Sequence, residues 1–112
     1  MIILHAAPVV WGRLAGPSAS VPGLVAAQNA LPDVDAALLT TVPGSAWPHC
    51  SFPVFGSDSI CRRTGRPTLP VPFDRPDLVV FHVTYIPLHA KLARYLHREA
   101  IPYLICPRGG MT

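Results

Sequence analysis

Three short stretches of this 112-residue sequence hold residue types suited to binding an oxyanion or a polar ligand. The first is Leu14, Ala15, Gly16, Pro17 and Ser18. Glycine lets a backbone approach a phosphate closely, and a helix beginning here would aim free N–H groups at one. The same residues also suit a plain strand-to-helix turn. The second is His82, which closes an apolar run and is followed by Thr84 and Tyr85. A histidine there is either a hydrogen-bonded core residue or, at the carboxyl end of a strand, a group placed to bond an acceptor hydroxyl. The third is Arg108, followed by Gly109 and Gly110. A guanidinium at a strand end can grip phosphate or carboxylate with two parallel bonds, or it can stand as a surface arginine in a turn.

Several chemistries find no motif. No GxGxxG fingerprint and no GK[ST] loop occurs. No carboxylate pair of the glycosidase type and no nucleophile-elbow serine can be assigned. Cys50, Cys61 and Cys106 are odd in number and form no CxxC, and His49 beside Cys50 matches no common zinc module, so no metal and no cofactor are expected. Reduced thiols and the absence of a basic, cleavable leader point to the cytoplasm. The formal charge is +3, from nine Lys and Arg against six Asp and Glu. That excess suits an anionic small molecule or a membrane surface. Nucleic-acid binding, a weaker reading, normally needs more concentrated charge with interleaved aromatics. Arg62, Arg63 and Arg66 read as a solvated loop face.

These residues need elements to position them. Half of the chain is hydrophobic and 13% is charged, which excludes global disorder. No apolar run approaches the roughly 20 residues of a membrane span. Fourteen prolines exclude a helical bundle or coiled coil. Ile2, Ile3, Leu4, His5 and Ala6 read as a buried parallel strand. A helix starts between Ser18 and Val21, because Pro22 is tolerated only in a first turn. Val21, Leu24, Val25, Gln28 and Leu31 form its core face. Residues 36–41 read as a second strand. Residues 42–76 carry proline at 43, 48, 53, 67, 70, 72 and 76 and form an irregular insert, with a short strand within 52–55. Residues 78–83 give the strongest strand signal. A helix opens at Pro87, with Leu88, Leu92, Tyr95 or Leu96, and Glu99 on one face and Lys91, Arg94 and Arg98 on the other. Residues 103–106 form a last strand. This alternation predicts an α/β fold: one Rossmann-like parallel sheet over residues 1–112 with helices on both faces, its ligand-binding loops following Ala6, Val83 and Cys106.

Taken together these segments resemble the N-terminal domain of family 4 glycosyltransferases, enzymes of GT-B architecture with two Rossmann-like domains facing a cleft. IILHAAP leading into AGPSASVPGLVAAQNAL is similar to the family's first strand, Gly-Gly-Pro-Ser loop and first helix. DVDAALLTT is similar to its second strand. RPDLVVFHVTYIPLHAKLARYLHREAIPYLICPRGGMT is similar to its strand–helix–strand unit ending in Pro-Arg-Gly. The resemblance covers about two thirds of the chain and leaves 42–76 largely unmatched.

The resemblance implies retaining transfer of a sugar from a nucleotide-sugar to a glycan or lipid-linked acceptor, in polysaccharide or glycolipid assembly at the cytoplasmic membrane face. By position, Gly16, Pro17 and Ser18 fill the first substrate loop. His82, as the catalytic residue, with Thr84 and Tyr85 fills the next, and Arg108, Gly109 and Gly110 fill the third. Ala15 stands where the family often has glycine. The donor-gripping C-terminal domain would be a missing partner, so this incomplete half is expected to be inactive alone. An alternative expectation from a different class is a non-catalytic α/β binding module that meets a partner through its proline-rich insert.

Overall fold

A computed structural model describes residues 1–12, 16–43, 47, 50–83 and 86–106. Five strands form one sheet: β1 (Ile2–Ala7), β2 (Asp35–Thr40), β3 (Val54–Phe55), β4 (Leu78–His82) and β5 (Tyr103–Cys106). Their order is β3-β2-β1-β4-β5, and every pairing is parallel. Two helices make crossovers, α1 (Pro17–Asn29) between β1 and β2 and α2 (Pro87–Arg98) between β4 and β5. The first crossover moves one way across the sheet and the second moves the other. Right-handed connections in opposite directions put their helices on opposite faces.

The alternation of side chains along the strands records that arrangement. Leu4, Ala6, Ala37, Leu39, Val79 and Phe81 pack with Leu92 and Leu96 of α2. Ile3, Ala7, Ala36, Leu38 and Val80 pack with Val21 and Val25 of α1. The central strands are therefore apolar on both faces, as parallel strands covered on both sides must be.

The proline-rich insert is more ordered than its sequence suggests. Its expected short strand is β3, in register with Leu38 and Leu39. A 3₁₀ turn follows at Ser57–Ser59, and Ile60 bridges antiparallel to Pro67. Ile60, Leu69 and Phe73 are buried in the α2-side core. No α-helix joins β3 to β4, so these three side chains cover the sheet where a crossover helix would otherwise lie. Prolines suit this task because an irregular chain with fixed φ loses less entropy on ordering.

Two details of α1 differ from expectation. Pro22 lies in the second turn. Its missing N–H deprives the Ser18 carbonyl of one helical bond, a modest loss near a solvated helix start. The buried face is Val21, Val25 and the half-buried Gln28, while Leu24 and Leu31 are exposed. On α2 the buried residues are His89, Leu92 and Leu96, and Glu99 is exposed rather than on the core face. At the sheet edge, Leu104 and Ile105 of β5 stay exposed. Among the described residues, no helix is long and apolar enough to cross a membrane.

Candidate functional site

In an open parallel sheet, a crevice forms where neighbouring connections leave in opposite directions. Here that point lies at the carboxyl ends of β1 and β4. Backbone and side-chain bonds fasten its rim. Val9 N–H and Thr41 N–H both donate to the Ala7 carbonyl, at 3.0 and 2.9 Å. Thr40 Oγ1 donates to the Val9 carbonyl at 2.7 Å. Val10 N–H donates to Ser18 Oγ at 3.1 Å, tying the loop after β1 to the first turn of α1.

Gly16 sits at the N-cap of α1 with φ 62 and ψ −146. This region is open essentially to glycine alone. Nothing lies within 4 Å of where its Cβ would be, so the backbone there faces open space. The anion-binding capacity of this helix start is small. Pro17 has no N–H, and Ala19 and Ser20 N–H both donate to the Gly16 carbonyl. That leaves the Ser18 amide of the first turn to meet a ligand. A phosphate normally takes several such donors, so the geometry suits a sugar hydroxyl or carboxylate oxygen better than a full phosphate cradle.

His82 ends β4 as expected, but its ring does not open onto the rim. It points to the α1 side and is 1% exposed. Its Nε2–H donates to His5 Nδ1 at 2.9 Å, with the two rings stacked at a centroid distance of 5.1 Å. His5 Nε2–H in turn donates to Gln28 Oε1 at 2.6 Å. The Gln28 oxygen can only accept, which fixes the proton of His5 on Nε2 and makes its Nδ1 the acceptor for His82. Burial lowers the His5 pKa, partly offset by the Gln28 bond. The His5 imidazole is thus held neutral, in a hydrogen-bonded chain with His82 and Gln28 one layer below the rim. The arrangement matches the core reading of His82, and contact with a substrate would require this layer to open.

The other positions divide simply. Gly16 and Ser18 are brought together at the carboxyl edge, with Pro17 as the first residue of α1. Thr84, Tyr85, Arg108, Gly109 and Gly110 lie outside the described residues. Three features of this end were not anticipated. Val83 follows β4 at φ 77, a costly conformation for a β-branched residue. His89, from the first turn of α2, is buried with its Nε2 3.1 Å from Thr41 Oγ1 and its ring tilted on Phe81. Burial pulls its pKa down to about 4, against a smaller opposing effect of the Val83 carbonyl. Finally, Trp11 beyond β1 is 56% exposed and meets Trp47 edge to face at 5.4 Å. An exposed tryptophan beside an open glycine was the one legible signal among these. Among the described residues, no group of His, Cys, Asp or Glu could hold a metal ion.

No family model matches this chain, and no curated protein or solved structure matches it either.

Proposed function

We propose that this chain is the acceptor-side Rossmann-like domain of a retaining, GT-B type glycosyltransferase, holding a glycan or glycolipid acceptor while a second domain holds the nucleotide-sugar. One observation carries the reading. The parallel order β3-β2-β1-β4-β5 sets its crevice beside Gly16, where the motif resemblance puts the first substrate loop. Supporting it, the rim offers the hydroxyl and amide of Ser18 and the exposed indole of Trp11, with Trp47 edge to face against it. Sugar rings present apolar C–H faces that stack on indole, and their hydroxyls take single donors and acceptors. A nucleotide diphosphate would want more positive charge than the described part of this rim supplies.

NMR titration against panels of glycosides and of nucleotide-sugars tests the reading. The expected result is glycoside binding, weakened about tenfold by Trp11→Ala, a loss of roughly 1.4 kcal/mol. Nucleotide-sugars should leave the Trp11 signals unperturbed. Nucleotide-sugars that perturb Trp11, with no glycoside binding there, would make the chain a donor-side domain. Binding of neither there would remove the transferase reading.

A further inference from the structure

The solvent side of α2 carries Lys91, Arg94 and Arg98, and the turn at 61–66 lies against it. Gly65 in that turn has φ 75, and a Cβ there would overlap the Lys91 carbonyl, so turn and helix touch backbone to backbone. Lys91 Nζ donates to the Arg62 carbonyl at 2.7 Å, and Arg98 Nη2 donates to the Thr64 carbonyl at 3.2 Å. Within the turn, Gly65 N–H donates to the Cys61 carbonyl and Cys61 N–H to the Arg66 carbonyl. The turn is therefore a fixed wall. Between it and α2 runs a groove of about 670 Å³, lined by Arg63, Lys91, Arg94, His97, Arg98 and Tyr103 among others.

All the charge on this lining is positive. Among the described residues the one ion pair is Arg75 with Glu99, and neither lines the groove. The turn already favours an anion of its own. The exposed Cys61 thiol is drawn down to about 7, first by the Thr64 hydroxyl, then by the Thr64 and Arg63 backbone amides, with the Arg63 charge adding to them.

We propose that this groove is a binding site for a pyrophosphate-class anion, a di- or triphosphate either free or esterified. Arg63, Lys91, Arg94 and Arg98 bring four positive charges to one concavity. A single phosphate group carries at most about −2 at neutral pH, which would leave half of that charge uncompensated. Linked phosphates match it, and arginine forks suit their oxygens. A flat membrane surface fits less well. The large apolar side chains that are exposed among the described residues are Met1, Trp11, Leu24, Leu31, Val71, Leu104 and Ile105, and none lines the groove. Nothing here would enter an acyl layer, as interfacial binding requires. The groove lies on the flank of α2, away from the carboxyl-edge crevice, so the proposal stands independently of the transferase reading.

Calorimetric titration of the chain with sodium pyrophosphate and tripolyphosphate at low salt tests it. Saturable binding is expected, with orthophosphate at least about tenfold weaker and affinity falling as salt rises. Arg63→Ala and Arg94→Ala should each weaken pyrophosphate binding about tenfold and leave the unfolding midpoint unchanged. Arg75→Ala, outside the groove, should change binding less than about twofold. A parallel arm uses phosphatidylglycerol vesicles. No pyrophosphate binding, equal effects of all three substitutions, or vesicle binding without pyrophosphate binding would each overturn the proposal.

Discussion

Gly65→Ala is expected to lower the unfolding free energy by about 3–5 kcal/mol, near the upper end for a single substitution. Two costs combine at this position. A left-handed backbone (φ 75) costs an L-residue about 1–2 kcal/mol. The added methyl would also meet the backbone carbonyl of Lys91, which cannot rotate aside as a side chain would. The turn must then lift from α2, stretching the Lys91–Arg62 and Arg98–Thr64 bonds and disturbing the buried Ile60. Gly16 supplies the comparison. Its φ is also positive, but its missing Cβ faces open space, so Gly16→Ala carries strain alone, about 1–3 kcal/mol. Urea unfolding of both variants checks the ranking. A Gly65→Ala protein as stable as Gly16→Ala would mean that turn and helix are not in backbone contact.

Acid should destabilise the fold over a defined window. His89 has its folded pKa lowered to about 4, so the unfolded chain binds its proton first as pH falls. The contribution is fully present above pH 6.5. It is lost as pH drops from about 6.5 toward 4 and levels off below that. The shift corresponds to about 3 kcal/mol from this residue. His5 acts in the same direction, because burial lowers its pKa too and a second ring proton would break its bond from His82. Denaturant unfolding between pH 7.5 and 4 should show this fall, and His89→Leu should flatten it by about half or more. An unchanged stability across that range would mean that water reaches His89 in the folded protein.

The sheet was legible because its strands are short, branched, apolar runs bounded by proline and glycine. Residues 2–6 and 78–82 are buried on both faces and show it as continuous hydrophobicity. The start of α1 was less legible. Confining Pro22 to a first turn puts that start too late, between Ser18 and Val21, whereas the helix begins at Pro17 and carries Pro22 in its second turn. The insert was not legible. Ile60, Leu69 and Phe73 reach the core from an irregular backbone, so their spacing carries neither a helical nor a strand period. Leu24 and Leu31 misled for the opposite reason. They sit at helical spacing, but the inward face narrows to Val21, Val25 and Gln28, which meets His5. The histidine pairing lay beyond sequence reasoning because it depends on the register of β1 against β4, where His5 stands opposite Val80 and reaches toward His82. His89 follows the same logic, since its partner Thr41 is brought by a different crossover.

Backbone amide chemical-shift mapping of the labelled chain, titrated with a bound glycoside, tests most directly whether the carboxyl-edge crevice is the ligand site. The account predicts the largest shifts at Val10, Trp11, Gly12, Gly16, Ser18 and Thr41. Shifts concentrated instead at the opposite edge of the sheet, around Ile2, Asp35, Asp77 and Tyr103, would contradict it.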